Sequence, residues 1–201
     1  MMDFNNVWTI ASKELRDALR NRWFLFFTMA FAGLALALSA LARPQGLQLQ
    51  LAGYGRTTAS LINLVLLFVP LLGLMLGSIN IANDQETGAM AYLLTQPVNR
   101  AEIMLGKYLG LAIALFATLS MGFGLAGLTL SIQGQVSDLG GYLLTVLLAW
   151  LLALAMLSLG FLLSTLAHKT AVALGGALLL WLLLVFVGDL GIMGTAIVTR
   201  M

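Results

Sequence analysis

Ile81-Ala-Asn-Asp-Gln-Glu-Thr-Gly-Ala-Met-Ala-Tyr-Leu-Leu-Thr-Gln-Pro-Val-Asn-Arg-Ala-Glu-Ile-Met-Leu-Gly-Lys107 is the longest polar-rich interruption between two membrane-length apolar runs in this chain. Asp84 and Glu86 sit just past the end of one run, and Gly88 can stop or bend a helix because glycine tolerates positive φ. Met90 to Thr95 is long enough for about a turn and a half of helix. It places Met90, Leu93 and Leu94 near one side. Pro97 halts that helix, since it has no N–H and restricts the residue before it. Asn99 followed by Glu102 has the form of a capping box that starts the next helix. A short, partly apolar helix held outside a bilayer between two spans is suited to docking on another protein.

Composition sets the class. Of 201 residues, 61% are hydrophobic and 9% charged. A soluble domain carries about 25% charged residues, so this is a membrane protein. The net charge of +2 gives no reason to expect nucleic acid. Some basic residues are expected to face anionic lipid headgroups instead. With no cysteine, disulfides, thiolate metal sites and thiol catalysis are excluded, and one histidine cannot form a histidine cluster.

From residue 1 to 22, Trp8, Ala11, Leu15, Ala18 and Leu19 fall at helical spacing, while Lys13, Glu14, Arg16, Asp17 and Arg20 lie largely on other faces. Asn5 or Asn6 can cap the start. The pattern predicts an amphipathic helix in the membrane interface, with Trp8 and Trp23 at headgroup depth. A plain charged leader that only sets topology is the simpler alternative. A cleaved signal peptide fits less well, because the apolar run 23–42 exceeds the usual signal core of about 7–15 residues.

Five spans are expected, near 23–42, 60–82, 103–132, 142–167 and 170–188. The centres of the runs carry no charge, which would cost about 3 kcal/mol each. Lys107 lies one turn into its span and is expected to snorkel back to the interface. If the N-terminus is inside, Lys13, Arg16, Arg20, Arg22, Arg100, Lys107 and Lys169 lie on or near the inner side, and Arg43, Arg56 and Arg200 outside. That is the usual bias, and it places the loop 83–101 in the cytoplasm. The outer segments are short: Arg43 to Thr58 reads as a loop or a surface-packed segment, and Ser131 to Gly141 has a turn composition.

Small residues one turn apart, at Gly33 and Ala37, Gly73 and Gly77, and Gly106 and Gly110, allow close helix packing. Asn63, Ser78 and Asn80 fit either a polar path or interhelical hydrogen bonds. The methionines are scattered without ligand spacing and read as core filling, so no metal site is expected. A P-loop is excluded around Gly106-Lys107, because Ala101 stands where the first glycine belongs and Tyr108 where Ser or Thr belongs. No catalytic constellation stands out.

The ordered set Glu86-Thr-Gly-Ala, Leu93-Leu94, Pro97-Val-Asn-Arg100, Ile103 and Gly106-Lys107 resembles the cytoplasmic loop of ABC-2 type permeases. The resemblance implies an all-α, polytopic membrane helical bundle: one permease domain over 1–201, with an interfacial elbow helix over 1–22. It also implies that the loop 83–101 holds a coupling helix resting on a partner ATPase. Glu86, Thr87 and Gly88 would shape that loop, with Met90 and Pro97 inside it. Leu93 and Leu94 would bury against the ATPase, and Arg100 would hold the loop near the headgroups. ATP and Mg would belong to the partner, and this chain would have no cofactor and hydrolyse nothing. A second copy of the chain and membrane lipids are the other expected partners.

Val187-Gly-Asp-Leu-Gly-Ile-Met-Gly-Thr-Ala-Ile-Val-Thr-Arg200, with the opening and the loop, resembles the permeases that serve nitrous oxide reductase maturation. That subfamily implies a cytoplasmic ATPase, a periplasmic solenoid protein and a role in assembling the copper–sulfur centre. A general exporter of a lipid, drug or polysaccharide is the alternative within transport. A force-transmitting anchor that passes nothing through itself is the alternative outside it. The family pattern has six spans and a cytoplasmic C-terminus. Five spans from an inside N-terminus leave Met201 outside, so the sequence is expected to stop before a sixth span.

Overall fold

The structure is a computed structural model describing residues 4–41, 50–89, 99–132 and 139–198, with side chains over 4–40, 62–89, 99–132 and 140–188. Among the described residues there are six helices and no strand: α1 Phe4–Arg20, α2 Arg22–Leu41, α3 Gln50–Glu86, α4 Arg100–Ile132, α5 Leu139–Leu166 and α6 Thr170–Val198. Five of them, α2 to α6, are long and apolar enough to cross a membrane. Outside the description lie Met90, Leu93, Leu94 and Pro97 of the expected coupling helix, the segments 42–49 and 133–138, and the side chains of the closing motif from 189 onward.

Single polar residues set the helix boundaries. Asn21 separates α1 from α2: its N–H donates to the Ala18 carbonyl at 3.1 Å, and its side-chain oxygen accepts from the Trp23 N–H at 3.0 Å, capping α2. Asn99 and Glu102 form a capping box on α4, with the Asn99 N–H 3.2 Å from Glu102 Oε2 and the Ala101 N–H 3.4 Å from Asn99 Oδ1. The second span was expected from about 60 to 82. Instead α3 begins at Gln50, inside the segment read as an outer loop, and runs to Glu86. The glycines at 53 and 55 lower helix propensity but do not break the helix. At its other end the last span, expected over 170–188, belongs to a helix that continues to Val198.

In lipid, apolar contact alone gives helices little reason to prefer one another over acyl chains, so backbone approach and hydrogen bonds must do the joining. Both are present. A Cβ on Gly77 would stand 2.5 Å from the Leu157 carbonyl oxygen, and one on Gly160 would stand 2.6 Å from that of Leu74. Gly73 faces Ala153 and Met156 on the same α3–α5 seam. Across it, the buried Ser164 hydroxyl accepts from the N–H groups of Ile81 and Ala82 at 3.0 and 2.8 Å. Between α2 and α4, Phe31 lies over Gly122, and two hydroxyl pairs flank it, Thr28–Thr118 at 3.1 Å and Ser39–Thr129 at 2.6 Å. Pro70 inside α3 has no N–H to give the carbonyl a turn earlier. One residue on, the Leu67 carbonyl accepts from the Trp181 indole at 3.0 Å, which ties α6 to α3 at that point.

These contacts place α1, the C-terminal end of α3, the N-terminal end of α4 and the α5–α6 corner at one end of the bundle.

Candidate functional site

At that end, the two helices that border residues 87–98, the middle of the expected loop, are fastened to the rest of the molecule. The leaving limb ends in a C-cap: the Thr87 N–H bonds the Asn83 carbonyl at 2.9 Å, and Gly88 takes φ +75°. A side chain would be strained there, so glycine is the residue that lets the chain turn off the helix. The returning limb starts at the capped Asn99, with Arg100 exposed at the first residue of α4.

Helix α1 has three faces, because successive residues step about 100° around it. Val7, Ala11, Glu14 and Ala18 are buried and pack on α4. Gly106 and Gly110 make the approach possible, since a Cβ on Gly110 would stand 2.5 Å from the Ala11 carbonyl oxygen and one on Gly106 2.7 Å from Ile10 Cβ. Phe4, Trp8 and Leu19 form a neighbouring exposed apolar strip, suited to acyl chains, and Arg16 and Arg20 are exposed on the polar side. The sequence reading placed Glu14 on a polar face and Trp8 on the same side as Ala11. The structure instead buries Glu14, because a charge elsewhere in the chain claims it, and leaves Trp8 exposed on the strip beside Ala11, as a headgroup-facing tryptophan requires.

That charge is Lys107. It was expected to snorkel to the interface, but only 2% of it is exposed. Its ammonium lies 2.8 Å from Glu14 Oε1 on α1, 2.7 Å from Asp84 Oδ2 on α3 and 3.1 Å from Asn80 Oδ1, also on α3. An ammonium has three N–H donors, and three acceptors surround it. Asn80 closes the cluster by donating to Glu14 Oε2 at 2.7 Å. Lys13, 3.6 Å from Glu14 and 3.4 Å from Asp17, lies on the exposed side. A cleft of about 340 Å³ between α1 and α3 is lined by Lys13, Asp17 and Asn83 as well as by Glu14, Asn80 and Asp84.

Snorkelling fails for a geometric reason. Helix α4 begins at Arg100 and packs against α1 and α3. Lys107 stands about 10 Å inside its first residue, on the side covered by α1 and α3. Burial would raise the Glu14 carboxyl, but the Lys107 ammonium, its hydrogen bond, that from Asn80 and the charge of Lys13 outweigh it and hold the carboxyl below its ordinary range.

Two further carboxylates join the loop's limbs to the bundle. Glu102, in the first turn of α4, lies 3.4 Å from the Asn6 amide of α1. Glu86, the last residue of α3, accepts from the Thr170 N–H at 2.9 Å, at the N-terminus of α6 where the helix dipole favours a negative charge. So Glu86, Thr87 and Gly88 are gathered at one limb and Arg100 at the other, while Gly73 and Gly77 face α5 and Gly106 and Gly110 face α1. Sequence reasoning missed Glu14, Lys107 and Asp84 as one cluster. The available signal was a lysine inside an apolar run, with one carboxylate, Asp84, just past the preceding run and another, Glu14, in the amphipathic opening helix. Among the described residues no group of His, Asp or Glu is placed to hold a metal ion.

Residues 8–200 match the family model described as ABC-2 family transporter protein. The chain belongs to the ABC-2 transporter family. Like the permeases of that family, it is a multi-pass membrane protein and the partner of a separate ATPase subunit. Among its relatives is a Stutzerimonas stutzeri protein described as "Probable ABC transporter permease protein NosY". It is 34% identical over 200 residues, covering 98% of this chain and 72% of that one. The protein of the same description from Pseudomonas aeruginosa is 34% identical over 198 residues, covering 96% and 72%.

Proposed function

We propose that this permease couples ATP hydrolysis in a cytoplasmic ATPase to transport or force transmission across the inner membrane, in the assembly of the copper–sulfur centre of nitrous oxide reductase. The end bearing α1 and the loop faces the cytoplasm, in keeping with the lysine and arginine residues gathered there. A second copy of the chain completes the membrane unit, a periplasmic solenoid protein receives the output, and ATP and Mg stay with the ATPase. The observation that carries the coupling role is the fastening of the two limbs to each other through Asp84, to α6 through Glu86 and to α1 through Glu102. A loop that only joined two spans would need no such ties. The maturation role rests on the resemblance to the two relatives.

Deleting the gene in a strain that makes nitrous oxide reductase tests this role. The reductase polypeptide should persist, lacking its copper–sulfur centre by absorption and metal content. A complete centre in the deletion strain would assign the permease to general export instead.

A further inference from the structure

We propose that Lys107 is a positioning residue for coupling: it pins α1, the end of α3 and the start of α4 into one rigid unit, so that a push on the 87–98 loop moves the elbow helix as well. This inference rests on the coupling role proposed above and names the residue through which it works.

The cluster has the chemistry of a tether. One buried cation reaches two carboxylates on two different helices, each at 2.8 Å or less, and sits on a third. Separating Glu14 from Lys107 would break an ion pair whose two side chains are both more than nine-tenths buried, so displacement of α1 from α4 is resisted steeply. Lys107 also faces the seam where Gly110 brings α4 against the Ala11 backbone, so α1 cannot roll away without opening both. The Asn6–Glu102 contact lies more than a turn nearer the loop on the same pair of helices, giving α1 and α4 a second point of attachment. Two separated attachments prevent one helix from pivoting on the other, which a single ion pair cannot do. Through Asp84, the unit includes the helix that leads into the loop.

Rigidity alone is measured with spin labels on Thr9 and Gln85, both exposed, in the otherwise cysteine-free full chain. The native pair should give a narrow distance distribution. Lys107→Met should at least double its width. Since stranded carboxylates could prevent that variant from folding, the neutral triple Glu14→Gln, Asp84→Asn, Lys107→Met is measured beside it and should broaden likewise. An unchanged width in the folded variants would overturn the proposal.

Transmission is measured as permease-dependent stimulation of the co-expressed ATPase. The variants should still co-purify with the ATPase, while stimulation falls about tenfold or more, as a lost coupling between sites would produce. In the Lys107→Met background, Asn6→Cys and Glu102→Cys joined by a short bifunctional thiol reagent should restore stimulation. Full stimulation without Lys107, or loss that the bridge does not repair, would each overturn the positioning role. If even the native chain neither binds nor stimulates an ATPase, the coupling role itself fails, and the spin-label widths still decide whether Lys107 ties the helices together.

Discussion

Lys107 shows how one side chain can reassign the faces of a distant helix. By periodicity Glu14 belongs with Lys13 and Asp17 on the wet side of α1, yet it is buried at 6% exposure because a cation waits in the seam. A long-range pair of this kind, 93 residues apart, leaves no periodic trace in either helix. Removing the lysine alone leaves two carboxylates without their cation, and breaking a buried pair in this way costs about 3–5 kcal/mol. Lys107→Met should therefore melt well below the native chain in detergent. The neutral triple should recover part of the loss, because it strands no charge. Acid should act on the same cluster. The Glu14 carboxyl is held below its ordinary 4.5, so its contribution is present above that value and is lost as pH falls through the lower, folded value. Thermal melts between pH 7 and pH 4 should show a native decline below about pH 4.5 that is shallower in Glu14→Gln. Equal slopes would mean that Glu14 does not feel the cation.

Among the elements, the apolar runs were the legible part, because a bilayer demands about 20 uninterrupted residues and forbids charge at the centre. The capping box at Asn99 and Glu102 and the turn at Gly88 were legible too, since each depends on residues within one turn. The start of α3 was not: Gly53 and Gly55 imitate a loop, and helix continuation there is not decided by local propensity. Nor could spacing say which glycines meet which helix. Gly73 and Gly77 meet α5, but Gly106 and Gly110, with the same spacing, receive α1. The α3–α5 seam predicts its own sensitivity. Gly77→Ala would put a methyl group 2.5 Å from the Leu157 carbonyl oxygen, against backbone that cannot rotate away. It should cost about 1–3 kcal/mol, as overpacking does. Gly124, with nothing within 4 Å of its absent Cβ, should accept alanine with a gain of up to about 1 kcal/mol from helix propensity. Detergent melting temperatures of the two variants should therefore move in opposite directions. A Gly77→Ala chain as stable as the native one would mean that α3 and α5 are not held in close backbone contact.

At the scale of the whole molecule, the polar ties and the apolar faces are unevenly distributed, and the distribution bears on orientation. The Lys107 cluster, the Glu102–Asn6 contact and the Glu86 cap on α6 all gather at the end that holds α1. Toward the other end, α2 and α4 are joined by hydroxyl pairs, and the Tyr142 hydroxyl donates to the Phe123 carbonyl. Charge at one end and hydroxyls along the spans is what a bundle needs if one face meets a moving protein and the rest meets lipid. Gln85 lies at the charged end, exposed near the close of α3, and Ser131 lies at the opposite end, exposed near the close of α4. With no native cysteine to interfere, each can be replaced singly by cysteine in cells. If the basic residues set the orientation, Ser131→Cys should react with an impermeant thiol reagent in intact spheroplasts, and Gln85→Cys only after lysis. Because α4 alone separates the two ends in sequence, the comparison depends on neither the 42–49 segment nor the residues after Val198. Labelling of both positions from outside would mean that α4 does not cross the bilayer. Labelling in the reverse order would place α1 and the loop where no cytoplasmic ATPase could reach them.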